Sequence, residues 1–309
     1  MTQTLVAPAP PTAPATPSVP RRPRRHLGTV WTLVLFAAPF VVLFVVFRLV
    51  PTLWGMVLSL FKYRITGAMT WIGFDNFQRL FADAVFWESL RVTFVYVAIA
   101  VPATVAVSVV MAMMANRSMR GIRTYRALYF LPVLTSFVTT GLVWRWIYSA
   151  EGPLNAVITM FGADPVGFLS SDSLVLPSLS AVSVWTRFGY DMLIILAGLL
   201  AVPAEYYEAA RMDGANAWHV FWHITLPQIR PQLFFVVILE IIQSFQVFDL
   251  IYVMTGGGPV RSSYTLTYFI YDAAFRSFDF GYASAIGVIL LAITLVVSLV
   301  QRSFFKDVD

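Results

Sequence analysis

The sequence predicts an all-α integral membrane protein with six transmembrane helices. Three observations carry that expectation. The 309 residues are 59% hydrophobic and only 12% charged, about half the charge density of a water-facing domain. Apolar runs long enough to cross about 30 Å of hydrocarbon recur six times. Lys and Arg gather at alternate ends of those runs, as membrane topology demands.

Residues 1–26 form a tail with seven prolines, followed by Arg21, Arg22, Arg24, Arg25 and His26. Such a stretch cannot bury a core and is expected to be a disordered cytoplasmic tail. The membrane domain is expected over 27–309. Its first run, from Leu27 to Phe47, is longer than a signal-peptide core, and no small-residue cleavage site follows it. It reads as an uncleaved anchor. The spans are expected near 28–50, 91–114, 125–147, 175–201, 229–254 and 282–301. Trp31, Trp87, Trp144 and Tyr282 sit near span ends, as interfacial aromatics do. With the N-terminus inside, the cytoplasmic segments hold twelve Lys and Arg and the external ones five. Both termini are therefore expected in the cytoplasm of a cell-membrane protein. Strand patterning of the outer-membrane kind is absent.

Composition removes several functions. Cysteine is absent, and His26, His219 and His223 all fall outside the spans. No thiol or intramembrane metal site is expected. An intramembrane hydrolase would need a Ser–Lys dyad, and neither lysine is intramembrane, so no catalytic residue is assigned. The +5 charge sits at span ends, which fits topology rather than nucleic acid. No GxxxxGK[ST] motif occurs, so the chain itself is not expected to hold ATP.

The segment 203–227 is too polar to span. Glu208, Ala209 and Ala210 favour helix, Gly214 permits a sharp turn, and Asp213 or Asn216 can cap a second short helix. Pro227 is expected to end that helix before the fifth span. The pattern Glu208-Ala209-Ala210, Gly214 four residues later, then Ile224, Leu226 and Pro227 resembles the EAA loop of ABC importer permeases. In that family the loop docks on the ATPase subunit. The resemblance implies a type I ABC importer permease fold in which 203–227 carries a coupling helix. It also implies that Glu208 pairs with a basic group on the ATPase.

A second stretch, Phe248-Asp-Leu-Ile-Tyr-Val-Met-Thr-Gly-Gly-Gly-Pro259, is similar to the end of span five in the carbohydrate-uptake branch, which includes maltose and glycerol-phosphate permeases. There the glycine loop, here Gly256, Gly257, Gly258 and Pro259, reaches toward the solute-binding protein. Tyr125–Pro132 and Trp144–Tyr148 match as well, so the resemblance covers about 50–301. It implies these partners: a second homologous permease, two ATPase subunits carrying ATP and Mg, an extracytoplasmic solute-binding protein, and surrounding membrane lipid.

Polar residues inside spans default to function. Glu240, Gln243 and Ser244 share one face of span five, with Gln246 adjacent. Ser183, Arg187 and Asp191 follow one another at four-residue spacing on span four, and Thr135 and Ser136 follow Pro132 on span three. Counting along each helix puts Thr135, Arg187 and Glu240 at one depth, as a cavity for a hydroxyl-rich solute requires. Related maltose permeases hold sugar with these same regions. This sequence departs from them by carrying an Arg and a Glu where they have small or neutral residues, so the ligand is not transferred. Blander roles stand beside these: Arg187 and Glu240 locking two spans together, Arg187 pairing with Asp191, and Thr135 and Ser136 serving helix packing. The expected function is the permease subunit of an ABC importer for a sugar-like solute. A disaccharide, an oligosaccharide and a glycerophosphodiester all remain open. The alternatives are a proton-coupled transporter using Glu240 and a scaffold without transport.

Overall fold

A computed structural model describes residues 27–65, 67–117 and 120–304. The tail expected over 1–26 lies outside the described residues. The chain divides into two units, the first ending at Thr52 and the second beginning at Leu53.

In the first unit, α1 (Leu27–Phe44) passes into a π-helical turn (Val45–Leu49); α2 (Val50–Leu58) follows and carries the chain across the boundary into the second unit. Leu35, Phe36, Phe40 and Phe47 are exposed, a surface suited to lipid rather than water. The first apolar crossing runs Val34–Leu58, later than the expected 28–50. It continues through Pro51 because the N–H that proline lacks falls next to the π-turn. There Val50 N–H already bonds Val45 O in the wider register.

The second unit opens with a short antiparallel hairpin, β1 (Phe61–Lys62) and β2 (Thr70–Trp71), in which Phe61 pairs with Trp71. This hairpin departs from a wholly helical chain. Next come α3 (Asp75–Ala82) and α4 (Ala84–Ala115), which starts earlier than expected because Asp83 caps it, accepting from Val85 N–H at 2.9 Å. α5 (Ile122–Phe130), a 3₁₀ turn (Leu131–Leu134) and α6 (Phe137–Ile147) follow, then α7 (Pro153–Met160) and α8 (Val175–Ala201). The connection after α8 holds α9 (Ala204–Met212), α10 (Ala217–Val220), a π-turn (Phe221–Thr225) and α11 (Leu226–Gln228). α12 (Arg230–Phe245), α13 (Asp249–Met254), α14 (Leu266–Tyr271), a π-turn (Asp272–Arg276) and α15 (Phe280–Phe304) complete the chain.

Among the described residues, four helical stretches are long and apolar enough to cross a membrane: Val34–Leu58, Ala84–Ala115, Val175–Ala201 and Phe280–Ser303. Two more qualify only as bent pairs, 122–134 with 137–147 at 95° and 217–228 with 230–245 at 73°. The stretches expected as spans over 125–147 and 229–254 are broken by bends in this structure. Pro132 and an extended Thr135 (φ −84°, ψ 140°) break the first. In the second, Pro231 has no N–H to offer Pro227 O, so the turn falls at Ile229 and Pro227 lies inside α11. α12 then stops at Phe245, and distant side chains take carbonyls at its end and just beyond it. Thr267 Oγ1 donates to Phe245 O at 3.1 Å and Thr265 Oγ1 to Val247 O at 3.4 Å.

The centre of the second unit is the seam between α4 and α8. Ala100, Thr104, Ser108 and Ala112 recur every four residues on one face of α4, and all are buried. Small side chains there let the α8 backbone approach closely. Ser108 Oγ donates to Phe188 O at 3.3 Å. Val109, Met192, Ile195, Leu199 and Val236 fill the space where α12 joins the pair.

On the other side of the unit, Arg64 and Arg79 both reach Asp279 Oδ2, at 3.1 and 2.8 Å. Burial pushes the Asp279 carboxyl up, but hydrogen bonds from Arg79, Arg64 and the Tyr282 backbone outweigh it and hold the group below its usual 3.8. A lowered folded value stabilises the fold above about pH 4, and this contribution is lost as pH falls further. The two arginine side chains are 52% and 54% exposed, so water screens the pair. Asp279→Asn is expected to cost about 1–2 kcal/mol at pH 7. It should also flatten the acid limb of stability below about pH 4, as read by thermal unfolding across pH. An unchanged acid limb would place the titrating group elsewhere.

Candidate functional site

The break at Pro132–Ser136 exposes a carbonyl that a continuous helix would have bonded. Thr135 takes it: its Oγ1 donates to Pro132 O at 2.6 Å and lies 2.9 Å from Thr140 Oγ1. This bend, the middle of α8 and the middle of α12 surround a cavity of about 290 Å³. Thr135, Thr186, Arg187, Tyr190, Asp191, Glu240 and Gln243 supply its polar wall.

The charges within it are matched in part. Arg187 Nε stands 3.0 Å from Glu240 Oε1, with side chains 15% and 4% exposed. Asp191 is buried beside both. The Asp191 and Glu240 carboxyl groups also hydrogen-bond to each other. The wall therefore holds one guanidinium and a linked pair of carboxyl groups.

Of the residues expected to line a solute path, the structure brings Thr135, Arg187, Glu240 and Gln243 together. Four others stand apart. Ser183 is buried with its hydroxyl bonded to Tyr96 on α4, so it serves the α4–α8 seam. Ser244 is buried outside the cavity lining. Ser136 is exposed at the start of α6, and Gln246 is exposed at the end of α12. Thr186 and Tyr190 were not singled out from sequence. They stand four apart, one position before Arg187 and Asp191, so a second i, i+4 stripe on the same helix was there to be read.

A second groove, of about 520 Å³, lies between α9 and α10, with Tyr207, Glu208, Arg211 and Phe221 in its lining. Gly214 makes the turn between the two helices at φ +75°, a left-handed conformation. Asn216 caps α10, its Oδ1 accepting from His219 N–H at 2.8 Å, while Asp213 makes no side-chain cap. Glu208, Ala209, Asp213 and Gly214 are exposed, whereas Ala210 is buried. Met212 and Trp218 also stand open.

At the opposite end of α13, Gly256 and Gly257 adopt φ +58° and +85° ahead of Gly258 and Pro259. Gly256 is exposed, but Gly257 is buried. A Cβ on Gly257 would sit 2.8 Å from the Tyr264 ring. The loop therefore packs on its own tyrosines and offers Gly256 and the 86%-exposed Val260 outward. Among the described residues no cluster of three His, Cys, Asp or Glu side chains suited to a metal occurs.

Known proteins are similar to most of this chain. A probable ABC transporter permease protein of Bacillus subtilis (strain 168), YesP, is 35% identical over 270 residues, covering 86% of this chain and 87% of that one. The lactose transport system permease protein LacF of Rhizobium radiobacter is 32% identical over 274 residues, covering 86% and 91%. One solved chain comes from a bacterial alginate ABC transporter in complex with an alginate pentasaccharide-bound periplasmic protein. It superposes with a TM-score of 0.80 at 21% identity, covering 91% of this chain and 96% of that one. That likeness carries the fold alone. Residues 90–309 match the family described as binding-protein-dependent transport system inner membrane component, and the chain belongs to that family of ABC transporter permeases.

Proposed function

We propose that the chain forms part of the solute path of an ABC importer for an uncleaved sugar-like solute. The observation that carries this reading is the cavity at the bend of α5 and α6, where Thr135, Arg187, Glu240 and Gln243 meet. Hydroxyl groups leaving water need replacement hydrogen bonds, and this wall supplies them between otherwise apolar helices. Relatives named for lactose and for arabinooligosaccharides support a sugar. A volume of about 290 Å³ is small for a whole oligosaccharide against the usual 300–1,000 Å³ or so of ligand pockets. A second, homologous permease facing this one completes the space.

In this reading each bent pair is one span, giving six, with both termini in the cytoplasm. α9 is the coupling helix: exposed Glu208 and the groove beside it dock on one of two ATPase subunits, which hold ATP and Mg. Ala210 shapes the docking helix from its buried side, and Asp213 and Gly214 set the turn. The Gly256–Pro259 loop, with Val260 at its tip, meets the extracytoplasmic solute-binding protein. The permease itself breaks no covalent bond; rocking of the two permeases alternates access to the cavity.

The test is uptake by the complete transporter in proteoliposomes, with ATP supplied on the ATPase side. Uptake of the sugar carried by the binding protein is expected to require ATP and to persist when the proton gradient is collapsed. Gln243→Ala should change relative rates among sugars by several-fold without changing ATP dependence. Uptake that follows the proton gradient instead would favour a carrier built on Glu240.

A further inference from the structure

We infer that Arg187, Glu240 and Asp191 act as a charge filter that keeps anionic sugars out of the cavity, with Glu240 the deciding residue. This rests on the cavity being the solute path.

Arg187 is the only basic side chain among those that line the cavity. A lone guanidinium in such a place would attract a carboxylate, sulfonate or phosphate. Here it is already engaged, since Glu240 Oε1 holds its Nε at 3.0 Å. Asp191 adds a second carboxyl group on the same wall. An entering anion must displace Glu240 from Arg187 and leave that buried carboxylate, beside Asp191, without its cation, which low-polarity surroundings penalise heavily. A hydroxyl group faces no such penalty. It can donate to and accept from the carboxyl groups of Asp191 and Glu240, which line the same cavity, without separating any charge. Thr186, Tyr190 and Gln243 offer neutral partners around the same space. The solute class that fits is an uncharged, polyhydroxylated glycoside. The fold alone does not impose this, because a transporter chain of matching fold imports the acidic polysaccharide alginate. Selection of this kind works through a repulsive element as much as an attractive one.

The experiment compares two disaccharide probes, lactose and digalacturonate, on the assembled transporter in nanodiscs, with binding read by saturation-transfer NMR at millimolar concentration. Lactose is expected to bind the wild-type assembly at least tenfold more tightly than digalacturonate. Glu240→Gln frees Arg187 and is expected to raise digalacturonate binding at least tenfold, with lactose changed less. Adding Arg187→Gln to that variant should abolish the gain. If Glu240→Gln does not assemble, Asp191→Asn removes the carboxyl group that hydrogen-bonds Glu240 while leaving Arg187 and Glu240 in place, and should raise digalacturonate binding severalfold. Equal binding of both probes by the wild type, or an unchanged ratio in the variants, overturns the filter. A loss of thermal stability with an unchanged ratio would show a structural lock only. Lactose binding that survives Gln243→Trp, which fills the cavity, would instead sink the solute path on which the filter rests.

Discussion

Gly189→Val is expected to abolish uptake and to lower the thermal stability of the purified protein by about 3 kcal/mol or more. A Cβ at this position would lie 2.3 Å from Tyr129 O and 3.1 Å from Phe130 Cα. Both are backbone atoms at the end of α5, so no side-chain rotation relieves the clash. α8 and α5 would have to part along their whole contact. The damage reaches the cavity directly, because Arg187 and Asp191 flank Gly189 on α8 and face the bend that begins three residues after Tyr129. Gly55→Ala provides the control. No atom lies within 4 Å of its added Cβ, and in a helix this change is neutral or stabilising by up to about 1 kcal/mol. Differential scanning of both variants, with uptake measured in parallel, decides the matter. Normal assembly and transport by Gly189→Val would mean that α5 does not rest on α8.

Gly214→Val is expected to cut uptake at least tenfold and to remove stimulation of ATP hydrolysis by solute, with the chain still folded. The reasoning differs from that for Gly189. Nothing lies within 4 Å of a Cβ at Gly214, so sterics with neighbours play no part. The cost is conformational: a β-branched residue at φ +75° is strained by about 1–3 kcal/mol. The turn relaxes by changing its backbone, and the angle between α9 and α10 changes with it. That displaces Glu208 relative to Phe221 across the groove. Asparagine tolerates the left-handed region, so Gly214→Asn should retain most uptake. Glu208→Lys should fail as Gly214→Val does, through charge rather than shape. Equal failure of Gly214→Asn and Gly214→Val would show that the side chain, not the turn, is what matters.

Much of this architecture is legible in the chain itself. Long apolar runs correctly mark α4, α8 and α15 because helices in lipid satisfy their own backbone and need only length and hydropathy. The turn at Gly214 and the cap at Asn216 are local chemistry, and local chemistry is visible in sequence. Counting depth along helices brought Thr135, Arg187 and Glu240 to one level, and they share one cavity. The errors have a common cause in long-range partners. Ser183 looks like a free hydroxyl until Tyr96, 87 positions away, claims it. At the stop of α12, carbonyls are taken by Thr265 and Thr267, which no window around span five contains. The break near Pro132 was signalled by its proline, but the 95° angle follows from packing on α8.

The α4–α8 seam has one more consequence. Ala100 and Ala112 have no side-chain torsion to change, and the hydroxyls of Thr104 and Ser108 are tied to α4 carbonyls at 2.8 and 2.7 Å, so the two rods meet with little that can yield or repack. α9 follows α8 after only Val202 and Pro203. Under the proposed coupling, a push on α9 would arrive at the foot of a stiff lever rather than at a cushion. From Ala201 to Arg187 that lever is about 21 Å long at 1.5 Å per residue, and its stroke is delivered where the guanidinium meets the bend.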